Sequence, residues 1–262
     1  MPRVYLQDQV VMITGASSGI GRATARAFAA EGARLALGAR RADRLEALTP
    51  ELRAAGAPAV VTHAVDVREI PQVESFIAAA MQAFGRIDIL VNNAGLARGT
   101  DRVDSADEDD WNEMIDTNVK GLLALTRRVA PIMNAQEGGH IINMSSTAGH
   151  WVYEGGSVYA GSKFAVRAIT ETMRLELADH RIRVTAISPG LVETEFSVVR
   201  FHGDQERADN VYANMTPLTP EDIAECIVFA ANRPPHVNID EMIIKPLDQA
   251  GIHKVVRRPP AP

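Results

Sequence analysis

Short apolar runs rich in Val and Ile recur along the chain at 10–14, 34–38, 59–65, 87–92, 140–145, 183–187 and 238–244. Their length and β-branched content predict seven buried strands. Helix-length segments separate them at 20–31, 42–55, 71–84, 107–131, 157–179 and 220–232. Alternation of this kind predicts an α/β fold, a mostly parallel sheet with helices on both faces. The last helix has a legible start: Thr219 can cap, Pro220 suits the first helical position, and Glu221 and Asp222 set negative charge against the positive dipole end.

The pattern predicts one domain over 1–250, followed by a partly disordered tail at 251–262 whose end, 257–262, is Pro-rich. The stretch 190–215 is the one long connection without strand character, and such loops in compact domains are usually lids or binding segments.

Hydrophobic residues at 46% and charged residues at 23% are near the averages for soluble globular proteins. A formal charge of -6 argues against a nucleic-acid surface. No apolar run approaches a membrane span, and strand character begins almost at the first residue, leaving no room for a signal peptide. We therefore expect a cytoplasmic protein with a small-molecule partner. The single Cys226 lies in an apolar helical stretch and reads as a buried thiol, with no base nearby to make it a nucleophile. The seven histidines are scattered, so no metal is expected.

The first strand runs into Gly15-Ala16-Ser17-Ser18-Gly19-Ile20-Gly21 and then a helix. Glycines there permit a tight turn, close approach of backbone to a pyrophosphate, and close packing of helix on strand. At the end of the second strand, where NAD-specific folds place an acidic residue on the ribose 2′-hydroxyl, stand Ala39, Arg40 and Arg41. Guanidinium groups suit a 2′-phosphate, so NADP(H) is the expected cofactor. Tyr159 and Lys163 fall four apart in a predicted helix, on one face, where an ammonium can favour the phenolate and make the tyrosine an acid/base.

Taken in order, Thr14 to Gly21, Asn92-Asn93-Ala94-Gly95, Ser146, Tyr159-x-x-x-Lys163 and Pro189-Gly190 resemble the short-chain dehydrogenases/reductases over essentially the whole chain. The resemblance implies a Rossmann-type doubly wound sheet and a hydride passing between nicotinamide and a substrate carbon. It further implies a proton passed by Tyr159, an oxygen held by Ser146, a ribose held by Lys163 and a proton-relay role for Asn118. By the same implication Gly15, Ser17, Ser18, Gly19, Ile20, Gly21, Asp66, Val67, Asn92, Ala94, Gly95, Pro189, Gly190, Val192 and Thr194 line the cofactor. It implies a homotetramer too, packed through the helices at 107–131 and 157–179.

Residues 146–156, 190–204, Thr219 to Asp222 and Pro235 to Ile239 are similar to the NADP-dependent 3-hydroxy acid dehydrogenases, also described as serine or allo-threonine dehydrogenases, whereas Arg98, Glu154 and the stretch after Pro246 depart from that pattern. A 3-hydroxy acid requires a cation for its carboxylate. Arg200 is the candidate, with a surface ion pair as its alternative. Trp151 and Tyr153 either wall the pocket or pack in the core or an interface. A broad carbonyl or sulfonated-aldehyde reductase, and a non-catalytic NADP(H)-binding sensor, are the competing functions.

Overall fold

The computed structural model describes residues 5–258. Its main sheet holds the strands β1 (Val10–Thr14), β2 (Arg34–Ala39), β3 (Val60–Ala64), β4 (Ile89–Asn92), β5 (Gly139–Met144), β6 (Ile182–Pro189) and β7 (Glu241–Ile244). They run in the order β3-β2-β1-β4-β5-β6-β7, every neighbouring pair parallel. The chain returns from one edge to the centre between β3 and β4. That reversal opens a crevice beyond the carboxyl ends of β1 and β4, where ligands of doubly wound sheets bind.

Helices α1 (Gly19–Ala30), α2 (Ala42–Ala55) and α9 (Pro220–Ala231) cover one face, burying Phe28, Leu45, Leu52, Ile223 and Ile227 against the sheet. Helices α3 (Ile70–Phe84), α5 (Leu122–Ala135) and α6 (Ser157–Leu177) cover the other with Phe76, Leu125, Val129, Val166 and Met173. Each large side chain so buried contributes roughly 1.5–3 kcal/mol. Thr219 and Asp222 form a reciprocal capping box at the start of α9, with Pro220 in the first turn.

The segment 107–131 is not one regular helix. It comprises α4 (Glu108–Ile115), a π-helical turn (Asp116–Gly121) and α5. π-Bulges of this kind are frequent at functional sites, and this one carries Asn118. The connection 190–215 contains two short helices, α7 (Phe196–Arg200) and α8 (Gln205–Tyr212).

The tail departs from the expected disorder across 251–258. Strands β8 (Gln249–Gly251) and β9 (Lys254–Val255) form an antiparallel hairpin, and Arg257 and Arg258 bond to Val211, Ala213 and Asn214 at the end of α8. These backbone partners compensate the ordering entropy that a solvated tail would retain. Residues 259–262 of that tail lie outside the described residues.

A buried polar ladder ties the layers together beneath the crevice. Asn92 Nδ2 donates to Thr126 Oγ1 at 3.0 Å and to Asn143 Oδ1 at 2.9 Å, and Asn143 Nδ2 donates to Thr170 Oγ1 at 3.0 Å. Asn143→Leu keeps the branched shape but removes one hydrogen-bond partner from each of Asn92 and Thr170, which retain Thr126 and the Val166 carbonyl, so unfolding free energy in urea should fall by ~1–3 kcal/mol. A loss below 0.5 kcal/mol would show that the ladder is not a structural support.

Candidate active site

A cleft of about 600 Å³ lies over the carboxyl ends of the strands, lined from end to end by the Gly-rich turn, the ends of β2, β4, β5 and β6, and the 190–215 segment. Gly15 has φ of +66°, and a Cβ there would stand 2.9 Å from Asn93 Nδ2 and 3.0 Å from Ala94 Cα. Gly21 has a different job: a Cβ would come within 2.3 Å of the Gly15 carbonyl oxygen, so its absence lets α1 start directly against the turn.

Ser17, Ser18, Gly19, Ile20, Arg40, Arg41, Asp66, Val67, Ala94, Gly95, Pro189, Gly190, Val192 and Thr194 all line the cleft. Asn92 does not. Its side chain points into the polar ladder described above, because successive strand residues alternate in direction. The neighbouring Asn93 lines the cleft instead. Arg41 donates to Ser18 Oγ at 2.8 Å and to Glu195 at 2.8 Å, and Arg44 reaches the same carboxylate at 2.7 Å. Glu195 therefore bridges the 190–215 segment to α2 across the cleft. Partial burial opposes its ionisation, yet the hydrogen bonds from Arg44 and Arg41 hold the carboxyl below its usual range. Asp66 is likewise held low, by its hydrogen bond from Arg68.

Strand β5 ends beside Ser146, whose hydroxyl accepts from Ala148 N at 3.1 Å and faces the same cleft as Tyr159 and Lys163 on α6. Burial pushes the Tyr159 phenol up to about 12 and Tyr153 reinforces the rise, against the hydrogen bond of Ser146 and the charge of Arg200. The expected shift of this tyrosine toward neutrality is thus reversed, because desolvation outweighs nearby positive charge. Burial brings Lys163 down to about 8, its Nζ donating to the Met144 carbonyl at 2.9 Å and lying 5.9 Å from the Tyr159 ring centroid.

Asn118 is buried behind the cleft wall, bonded through its amide to both N and O of Leu96 at 2.9 and 2.8 Å and to Ser162 Oγ at 3.0 Å. It fixes the chain leaving β4.

Arg200 stands in the cleft with its guanidinium carbon 5.1 Å from the Tyr159 ring centroid, 5.6 Å from Tyr153 and 6.0 Å from Phe196. It donates to the Tyr153 hydroxyl, and its buried Nε has no partner among the described residues. Tyr153 is a pocket wall. Trp151 is not: it is 44% exposed, tilted on His150 and facing Lys245, because the turn after Ser146 carries it outward.

Sequence reasoning missed Glu195, Arg44, Tyr212, Gln249, Ile252 and Val255. Gln249 Oε1 accepts from Leu191 N at 2.9 Å, and Ile252 and Val255 complete the wall from the C-terminal hairpin. The small hairpin strands carried no strand pattern, so no local signal could have found them; Glu195, by contrast, sat one residue past Thr194. Among the described residues no cluster of three or more His, Cys, Asp or Glu could hold a metal, and no helix is long and apolar enough to cross a membrane.

The family model for short chain dehydrogenases matches residues 9–204. An NADP-dependent 3-hydroxy acid dehydrogenase of Schizosaccharomyces pombe is 46% identical over 254 residues, 97% of this chain and 98% of that protein. A sulfoacetaldehyde reductase of Chromohalobacter salexigens is 44% identical, over 92% of this chain and 94% of its own. The solved closed form of a serine dehydrogenase complexed with NADP+ superposes with a TM-score of 0.88 at 42% identity, over 96% of this chain and all of that one.

The Lys163 shift has a stability consequence. A lysine whose folded pKa is about 8 binds fewer protons folded than unfolded between about 8 and its ordinary 10.5, so its cost is full below 8 and is relieved as pH rises through that window. Lys163→Met should therefore raise the unfolding free energy at pH 7 by ~1–3 kcal/mol, with the gain shrinking toward pH 10.5. A variant less stable than wild type at pH 7 would contradict this.

Proposed function

Because this chain belongs to the short chain dehydrogenase family, we propose that it is an NADP(H)-dependent oxidoreductase acting on small carbonyl or hydroxy compounds that carry an acidic group, best exemplified by 3-hydroxy acids such as serine or allo-threonine. The observation that carries the substrate reading is Arg200: a guanidinium in a half-buried aromatic cage, 5.1 Å from the Tyr159 ring, with one buried N–H that has no partner among the described residues. A cation so close to the proton-transferring residue can hold an acid group while the reacting oxygen meets the phenol.

The residues of the cleft fit a dinucleotide phosphate. The turn at Gly15 leaves no space for a Cβ where backbone must approach closely, and Arg40 and Arg41 supply cations beside it. Ser17 to Ile20 and Gly190 to Thr194 hold the remaining length, with Asp66 and Val67 at the far end. When bound, NADPH supplies the hydride that reduces the carbonyl carbon, and NADP+ accepts it in the reverse direction.

In reduction the phenol of Tyr159 gives its proton to the carbonyl oxygen as negative charge develops there, leaving the phenolate to be reprotonated from solvent. Ser146 donates to the same oxygen and stabilises that charge. With a pKa of about 8, Lys163 is positively charged at neutral pH and favours the phenolate that the proton transfer creates. Asn118 serves by holding the cleft wall, and its amide lies beside Gly95, whose Cβ would stand 3.1 Å from Oδ1.

A sulfonated aldehyde is the second reading, favoured by the 44% identity to a sulfoacetaldehyde reductase, and the same arginine serves a sulfonate. A purely NADP(H)-binding sensor would have no use for the assembled Ser146, Tyr159 and Lys163. Assembly as a homotetramer in the cytoplasm belongs to the same proposal: Leu123 on α5 and Phe164 and Leu175 on α6 expose apolar area of the kind that copies of a chain bury.

Acetoacetate and its methyl ester test the reading, since they differ only in the acid group. Arg200→Met should lower the acid-to-ester ratio of kcat/KM about 30-fold, and Tyr159→Phe should lower kcat for both by roughly 10²–10⁴. An unchanged ratio in the Arg200 variant would remove the acid reading. Full activity of the Tyr159 variant would remove the mechanism.

Cofactor choice is tested separately. Replacing Arg40 and Arg41 by Ser should raise KM for NADP by roughly tenfold or more relative to KM for NAD. Equal rises for both cofactors would leave the 2′-phosphate without its assigned partners.

A further inference from the structure

Outside the cleft, Glu113 on α4 faces three guanidinium groups. Its Oε2 accepts from Arg98 Nε at 2.6 Å, and its Oε1 lies 3.6 Å from Arg68 Nη1 and 3.7 Å from Arg40 Nη1. Arg98 and Glu113 are each 18% exposed, so this pair is screened far less than a surface ion pair. Neither residue lines the cleft.

Arg98 makes a second bond. Its Nη1 donates to the Val199 carbonyl at 2.7 Å, and the next amide, Gly99 N, donates to the Arg200 carbonyl at 2.8 Å. Helix α7 has only five residues and ends at Arg200. A helix so short cannot hold itself, and its last carbonyls need donors from elsewhere. Residues 98 and 99 supply two of them, and a cation at that end also complements the helix dipole.

The position of α7 matters because the Arg200 guanidinium is only lightly held at its tip. Tyr153 is its hydrogen-bond partner and Nε has none among the described residues, so the aim of the side chain depends on where the backbone of α7 sits. A guanidinium fork can bridge Glu113 and Val199 at once. An ammonium serves that pair of directions poorly.

We propose that Arg98 and Glu113 are positioning residues that set Arg200 over Tyr159, and that through it they determine the preference for acid-bearing over neutral substrates. The proposal rests on the anion-binding role of Arg200 given above. Glu113 is held from the opposite side by Arg40 and Arg68, which anchors the unit to the loops after β2 and β3.

The test is a double-mutant cycle at saturating NADPH. Wild type, Arg98→Met, Arg98→Lys, Arg200→Met and the Arg98→Met/Arg200→Met double variant are compared on acetoacetate and methyl acetoacetate. Malonate inhibition of ester reduction gives a binding readout independent of acid turnover. Arg98→Met should lower the acid-to-ester ratio about tenfold and raise the malonate inhibition constant by a similar factor, with Arg98→Lys between it and wild type. In the double variant the ratio should equal that of Arg200→Met alone, since a residue acting through another adds nothing once its target is gone.

Equal losses on acid and ester, or losses that multiply in the double variant, would overturn the proposal while leaving the reading of Arg200 intact. An unchanged ratio in Arg200→Met would overturn both. Thermal melting controls for folding. If Arg98→Met melts well below wild type, Glu113→Gln, which keeps the shape and an acceptor oxygen, carries the same comparison with the same expected direction.

Discussion

Taking the Lys163 ammonium out of water costs several kcal/mol unless partners compensate, and here the partner that meets it directly is the Met144 carbonyl at 2.9 Å. That carbonyl is free because β5 ends there and the chain turns away at Ser146. The charge thus rests on where a central strand stops, and the stop in turn places Ser146 beside the same tyrosine that Lys163 flanks. Burial lowers the lysine to about 8 and raises the tyrosine to about 12, so two groups four residues apart on one helix are pushed apart from nearly equal ordinary values. Environments that push the pKa values of neighbouring groups apart are the pattern found where acid and base roles are divided.

A second cation closes the arrangement from above. Arg200 lies against Tyr153, Tyr159 and Phe196, whose ring faces attract a guanidinium most when water is thin. The ring of Phe196 also packs edge-on against Tyr159, with centroids 5.7 Å apart, so the 190–215 segment touches this tyrosine directly.

Much of this was legible from the chain. The strands at 10–14, 34–38 and 183–187 lie within a residue or two of those observed, since continuous β-branched runs between helices have few other homes in an α/β fold. The Gly-rich turn and the Tyr159–Lys163 spacing are local patterns that are weak alone, and the fold brings them to one cleft. Asn92 was misplaced by one pleat: in a strand, adjacent residues face opposite sides, and periodicity alone does not say which side faces the cleft. Trp151 was misplaced because the direction of a turn is tertiary information. The hairpin at 249–255 has no pattern of its own, and its order comes from partners some forty residues earlier in α8.

The chain as a whole is acidic, at -6, yet the cleft gathers Arg40, Arg41, Lys163 and Arg200 along its wall. A positive channel in a negative molecule concentrates anions at one place and repels them elsewhere. Left uncompensated, those cations would repel one another and loosen the 190–215 segment. Glu195, between Arg41 and Arg44, and Glu113, among Arg40, Arg68 and Arg98, supply the opposite charge from just outside the reacting centre. Glu195 ties the 190–215 segment to α2 directly and Glu113 reaches that segment through Arg98, while Arg200 has no carboxylate partner among the described residues. The acids neutralise where the fold needs closure, and stand away from the Arg200 guanidinium, whose buried Nε has no partner among the described residues.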